Sequence, residues 1–321
     1  LKFKGLQIAC FVILYVSLYS QQGVPGSLLS FNPYFEHAAY GGMDRTLAVS
    51  LQTRSAWTTL DGRPNTLYLG GHMPVYSWRG SIGGDILSQS EGNLRLSQIR
   101  ASYNYVTSGF GGLISLGGRL GISQIRLDGN KIRTPQGSYI DGNINHRDAV
   151  LGTGIQNGFG GLWELSALYT NKNLLCMVSI SDLISLGQSI GKATYAQDKT
   201  INMLAQYTYP VSSNIIVLPG LSVKTNFNVL QTELRALVNY NVKNYGGLVL
   251  RGFTPRTIDA LGIVAGHKVS QKFSLYYAYD IGLSGLRSAH DGTHDLIVRI
   301  NLDPLFGKNL PPKVTYNPRF L

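Results

Sequence analysis

A chain of 321 residues could hold two ordinary soluble domains or one large barrel, so length leaves both open. Composition chooses the barrel: 14% of residues are charged against 44% hydrophobic, and 38 Gly with 19 Tyr suit curved strands and interfacial aromatic girdles. The net charge of +11 invites nucleic acid as a partner, but Lys and Arg are scattered singly along alternating runs, which argues against it and for cationic lumen walls, anionic lipid or an acidic protein.

Lys2 and Lys4 precede an apolar run from Leu6 to Leu18, and Ser17, Ser20, Gln21 and Gln22 give it a small, polar exit. Residues 1–20 are therefore expected to be a secretory signal peptide, since the run is too short to span a bilayer. Cys10 lies inside it, so its removal leaves Cys176 alone and no intramolecular disulfide. No later apolar run reaches 18 residues, which excludes a conventional helical membrane protein. Residues 21–44, rich in Gly, Pro and aromatics, are expected either to plug a lumen or to run along the periplasmic mouth.

From 45 to 302 the chain reads as strands. Leu230, Thr232, Leu234, Ala236, Val238 and Tyr240 alternate with Gln231, Glu233, Arg235, Leu237 and Asn239, and Phe273 to Ser284 repeats the pattern. Such strands are expected at 45–55, 64–73, 79–90, 94–106, 111–126, 155–170, 172–182, 199–209, 213–227, 230–242, 243–254, 257–270, 271–283 and 293–302. Every connection from an even to an odd strand is short, and the long ones, 127–154, 183–198 and 284–292, fall on the other side. An even strand count with one-sided loops predicts an all-β fold: a transmembrane antiparallel barrel of about fourteen strands with both termini periplasmic, because an open sheet edge cannot survive in lipid. Residues 303–321 carry Pro304, Pro311, Pro312 and Pro318, which keep them out of the sheet and predict an irregular periplasmic tail.

Several motifs then carry a resemblance. Ser30-Phe31-Asn32-Pro33-Tyr34, followed by Ala38-Ala39-Tyr40-Gly41-Gly42, resembles the N-terminal segment of the PorP/SprF family of Bacteroidota outer-membrane proteins. Arg54-Ser55-Ala56-Trp57, Leu60-Asp61-Gly62-Arg63-Pro64, His72-Met73-Pro74-Val75, Leu127 to Gly137, Ile144 to Asp148, Tyr277 to Asp280 and the closing Asn317-Pro318-Arg319-Phe320-Leu321 follow in similar order and spacing. Phe35-Glu36-His37 departs from the family pattern, where a second Asn-Pro is usual, and 187–200 is unfamiliar. The resemblance implies a fourteen-stranded barrel in the outer membrane of a Gram-negative bacterium, associated with type IX secretion or gliding motility. It also implies adhesin anchoring and partners among secreted proteins and components of an envelope complex; no member of the family is known as an enzyme.

Candidate functional residues fall into four groups, with no catalytic, cofactor or metal set among them. Trp57, Asp61, Arg63, Lys131, Arg133, His146, Arg147 and Asp148 are expected in outer loops, where exposed aromatic and Arg side chains make good anchors for a partner. Asn32, Pro33, Ala39, Tyr40 and Gly41 mark the plug motif, and Asn317, Pro318, Arg319 and Phe320 the tail. Arg100, Arg119, Glu233, Arg235, Asp280 and Arg299 point inward by alternation, either cross-bracing a plugged lumen or lining an anion-tolerant pore. His146 with Asp148, His290 with Asp291 and His294 with Asp295 are the couples that a hydrolase would need, without an accompanying nucleophile motif. The Gly-Gly pairs are expected to be bulges, kinks and turns. The sequence thus favours a non-enzymatic barrel that docks a surface or secreted protein. An accessory barrel of another envelope assembly, such as one for barrel insertion, and a small-solute or anion porin are the alternatives.

Overall fold

The computed structural model describes residues 26–140, 143–148, 151–182, 188–190, 193–195, 199–252 and 258–303. The expected signal peptide and the tail motif at Asn317, Pro318, Arg319 and Phe320 lie outside the described residues. The strands are β1 (Leu47–Ser55), β2 (Asn65–Val75), β3 (Gly80–Glu91), β4 (Leu94–Gly109), β5 (Gly112–Asp128), β6 (Ile155–Thr170) and β7 (Leu174–Ser181). A small separate hairpin follows, β8 (Gln188–Ile190) with β9 (Ala193–Tyr195). Then come β10 (Thr200–Tyr207), its continuation β11 (Tyr209–Pro210), β12 (Ile215–Thr225), β13 (Leu230–Tyr240), β14 (Asn244–Arg251), β15 (Ala260–Lys268), β16 (Phe273–Gly282) and β17 (Thr293–Leu302).

With β10 and β11 taken as one strand, fourteen antiparallel strands close into a barrel, each beside its neighbour in the chain. The ring closes where β1 meets β17, from Leu47 opposite Leu302 to Ser55 opposite His294. Closure leaves no unpaired edge for lipid to meet. Alternation in sequence becomes alternation of environment: on β13, Glu233, Arg235, Leu237 and Asn239 are buried while Leu234, Ala236, Val238 and Tyr240 face out. Leu69, Ile86, Ile99, Leu120, Leu165, Leu248 and Ile263 extend the outward apolar band, and Trp78, Tyr105, Phe110, Tyr207, Tyr209 and Tyr240 ring the end that carries the short turns. Among the described residues no helix is long and apolar enough to cross a membrane.

The short turns use left-handed backbone where a two-residue hairpin requires it, as at Phe110 (φ 50°) and Gly111 (φ 73°) between β4 and β5. The opposite end is less uniform than its long loops suggest, because Gly92 and Asn93 alone join β3 to β4. Five Gly-Gly pairs, Gly70-Gly71, Gly83-Gly84, Gly117-Gly118, Gly160-Gly161 and Gly246-Gly247, lie in unbroken ladders rather than at bulges or turns, and those of β3 and β5 show why. A Cβ on Gly83 would strike the Tyr34 hydroxyl, and one on Gly117 would come within 2.5 Å of the Ala39 nitrogen. These glycines clear room for what the barrel contains.

What it contains is the stretch from Gly26 to Asp44, folded into three short 3-10 turns at Leu29–Phe31, Pro33–Phe35 and Ala38–Tyr40. Leu28 and Phe31 pack with Leu237, Val249, Val264, Tyr276 and Ile297 from the wall. Leu29, Tyr34, Ala39 and Tyr40 pack with Leu168, Leu175, Met177 and Leu204. The buried core of the molecule is therefore the contact between this segment and the inner wall.

Candidate functional site

An irregular segment inside a barrel needs partners for its own backbone groups, and the wall supplies them. Glu164 Oε1 on β6 accepts from the Ala38 nitrogen at 2.7 Å, and Ser166 Oγ accepts from the Ala39 nitrogen at 2.8 Å. Asn104 Nδ2 on β4 donates to the Ala39 and Gly41 carbonyls, both at 2.9 Å. Arg119 Nη1 on β5 donates to the Phe35 carbonyl at 3.1 Å, its other terminal nitrogen donates to the Tyr34 carbonyl, and its guanidinium lies 4.8 Å from the Tyr34 ring centre. Arg299 Nη1 on β17 donates to the Phe31 carbonyl at 2.8 Å, while the Gly42 nitrogen donates to His72 Nδ1 at 3.0 Å. Within the motif, Asn32 donates to the Gln52 side chain at 3.3 Å, and Pro33 opens the second turn, where its missing N–H costs nothing.

Around the segment the inward charges pair. Asp280 receives Arg54 at 3.1 Å and Arg251 at 3.0 Å; Arg251 also reaches Glu233 at 3.2 Å, and Glu233 meets Arg235 at 3.3 Å. On the other side Asp85 receives Arg100 at 2.6 Å and Arg119 at 3.5 Å, and Arg119 reaches Glu164 at 2.8 Å. Arg299 pairs with Asp44, which also faces His72 at 3.4 Å, and Lys224 faces Glu36 at 3.5 Å. The six inward charges singled out from sequence all lie in these networks. Their partners Arg54, Asp85, Glu164 and Arg251, with Asp295 beside Arg54, and Asp44 were not singled out as lumen charges. The first five sit on the same inward faces, so strand alternation carried the signal for them; Asp44 precedes β1 and carried none.

His37 is fully buried and neither ring nitrogen has a hydrogen-bond partner. Burial, reinforced by Arg119 and Arg235, pushes its imidazole down to about 3, so it is neutral.

The segment divides the lumen. Toward the long loops lies a polar chamber of about 170 Å³, lined by Phe35, Glu36, Arg54, Arg100, Arg119, Glu164, Asp182 and Lys224. Toward the short turns lies a second of about 310 Å³, mostly apolar, lined by Phe31, Tyr40, Met43, Leu113, Leu175, Leu218, Leu237 and Tyr276.

The expected outer-loop residues stand at the end that carries the long loops. Asp61 and Arg63 are exposed, while Trp57 is half-buried with its ring 6.3 Å from that of His290. The Thr58 nitrogen donates to the Gly292 carbonyl at 2.9 Å, and the Asp291 nitrogen donates to the Thr58 carbonyl at 3.0 Å, which tie the first long loop to the last. In the loop after β5, Arg133 stacks 4.5 Å over Tyr139, whose hydroxyl meets His146 Nδ1 at 3.1 Å. Lys131, Arg133, Arg147 and Asp148 are exposed there, and Lys131 faces Asp128 at 3.7 Å.

The His–Asp couples do not assemble a hydrolytic site. His294 and Asp295 are strand neighbours and so point to opposite faces, His294 outward to the Tyr277 hydroxyl at 2.6 Å and Asp295 inward toward Arg54. His290 Nδ1 accepts from the Gly292 nitrogen at 2.9 Å, and His146 turns to Tyr139. Among the described residues no group of three or more His, Cys, Asp and Glu side chains could hold a metal ion.

The family model described as type IX secretion system membrane protein PorP/SprF matches residues 19–300. Among solved structures, the chain is similar to the Acinetobacter baumannii outer membrane protein Omp33, with a TM-score of 0.47 and 8% identity over 80% of this chain and 98% of that one. It is also similar to a triple mutant of Rhodopseudomonas blastica porin, with a TM-score of 0.36 and 10% identity over 80% of this chain and 99% of the porin. No curated protein matches.

Proposed function

Because the chain belongs to the PorP/SprF family of type IX secretion system membrane proteins, we propose that it is a non-enzymatic docking barrel whose long-loop face holds a secreted or surface protein outside the outer membrane. The short turns and both termini are then periplasmic, as one-sided loop length favours. The observation that carries this reading is the filled lumen: residues 26–44 share hydrogen bonds with the wall at Asn104, Arg119, Glu164 and Arg299, which suits a scaffold closed by a plug. Trp57, Asp61 and Arg63 on one loop and Lys131, Arg133, Arg147 and Asp148 on another supply the aromatic and charged groups that a protein partner uses.

The test is affinity purification of the tagged barrel from native outer membranes in mild detergent, with identification of what remains bound. A large secreted protein or secretion components should be recovered at near stoichiometry, and the yield should fall with Arg63→Ala and Arg133→Ala together. Recovery of the barrel alone, with steady single-channel conductance in planar bilayers, would replace docking by the porin reading.

A further inference from the structure

On β4 and β5 the outward face ends in a pair of like charges. Arg95 and Arg126 stand directly opposite each other in the ladder, both exposed and both on the outward side of their strands. Side chains so opposed start roughly 5 Å apart, and like charges in that position repel. Among the described residues neither guanidinium has an ion-pair or hydrogen-bond partner. Their neighbours in the same row are neutral, Ser90 on β3 and Asn157 on β6. The acid next along that face, Asp128, already faces Lys131 at 3.7 Å and accepts from the Asn130 nitrogen at 3.2 Å. Glu91, opposite Leu94, belongs by alternation to the other face. Two arginines set side by side with no acid between them make a site for an anion.

Depth identifies the anion. Arg95 lies ten residues along β4 from Tyr105 of the aromatic ring at the short-turn end, and Arg126 lies ten along β5 from Leu116, the residue opposite Tyr105. Ten residues span roughly 34 Å of strand, or roughly 26 Å of height at a tilt of about 40°. The apolar band of an outer-membrane barrel is about 25 Å tall, so the pair stands where lipid headgroups begin. On its short-turn side the outward row of Ser97 and Gln124 gives way to exposed Ile99 and Ile122. Beside Ile122, Gly161 on β6 leaves a gap between the outward rings of Phe159 and Trp163. Guanidinium forks fit phosphate oxygens, and the apolar surface adjoining them fits an acyl chain, which a soluble anion does not have. We propose that Arg95 and Arg126 together hold the phosphate of an anionic lipid in the leaflet beside the long loops, with its acyl chain along Ile99 and Ile122. The site depends neither on a protein partner nor on which side of the membrane holds the long loops, so it stands or falls apart from the docking role.

Native mass spectrometry of the purified barrel in non-ionic detergent tests this with phosphatidylglycerol, and with diacylglycerol of the same acyl chains as the phosphate-free probe. Under collisional activation the parent should keep one phosphatidylglycerol about tenfold more than diacylglycerol, and Arg95→Gln with Arg126→Gln should lower that retention about tenfold. Lys172→Gln with Lys243→Gln, which removes two exposed charges from the short turns, should leave it within about twofold. Stability gives a second readout: phosphatidylglycerol added to the micelles should raise the urea midpoint of heat-modifiable migration for the parent and not for the arginine double variant. Equal retention by the two double variants, equal retention of the two lipids, or an equal midpoint shift in parent and arginine variant would overturn the proposal. Displacement of the lipid by inorganic phosphate at the same concentration would overturn it too, by giving the pair to a free anion.

Discussion

Arg119 has more tasks than any other side chain in the lumen: it pairs with Glu164 and Asp85, donates to two carbonyls of the N-terminal segment and lies against the Tyr34 ring. Arg119→Leu leaves the buried Glu164 without its cation and Asp85 with Arg100 alone, so it should destabilise the barrel by about 3–5 kcal/mol, read as a lower urea midpoint of heat-modifiable migration. An unchanged midpoint would mean that water already solvates the pair. His37 gives a test in pH. Its imidazole is held neutral in the folded barrel down to about 3, chiefly by burial, whereas an unfolded chain takes up its proton near 6.5. Between those values the unfolded state binds more protons, so stability falls on acidification, by at most about 1.4 kcal/mol per pH unit from this one group. His37→Phe should therefore lose less stability than the parent between pH 7 and pH 4.5. Parallel losses in thermal midpoint would refute the assignment.

The strands and the segment they enclose were legible to different degrees, for a physical reason. Period-two alternation is local, so β13 at Leu230–Tyr240 and β16 at Phe273–Gly282 stand within two residues of where the pattern of Leu, Tyr and polar residues placed them. The small β8–β9 hairpin escaped, because three-residue strands carry too little alternation to read. Ion-pair partners were hidden for the opposite reason: Arg54 and Asp280 are 226 positions apart and meet only after the ring has closed. The glycines of β3 and β5 look like any flexible site in sequence, and their use follows only from what lies beside them. Gly117→Val puts a branched side chain into the backbone at Ala38–Ala39, where nothing flexible can yield. The strand ladder of β5 remains intact and valine favours it, so the barrel should still close while residues 26–44 are displaced. Hydrogen exchange at Ala38 and Ala39 should rise with strand amides unchanged. Protection retained at both would show that the wall moves instead.

At the scale of the whole molecule, the lumen is balanced only with its contents in place. Among the described residues its ion pairs join seven cations, Arg54, Arg100, Arg119, Lys224, Arg235, Arg251 and Arg299, to seven carboxylates. Five of the carboxylates, Asp85, Glu164, Glu233, Asp280 and Asp295, belong to the wall; Glu36 and Asp44 belong to the segment. Removing residues 26–44 would therefore open a passage in which Lys224 and Arg299 lose the carboxylates they pair with. Water entering the emptied lumen can solvate the wall groups that the segment leaves behind, so closure of the strands does not depend on the segment's hydrogen bonds alone. The deleted barrel should conduct where the parent does not, and a potassium chloride gradient should give a reversal potential of the sign for chloride preference, because rings of Arg and Lys select anions. Arg299→Gln in the same background should weaken that preference. A deleted barrel that folds and conducts cations would place the selecting charge at the loops rather than in the lumen, and one that folds without conducting would mean that other parts of the chain close the passage.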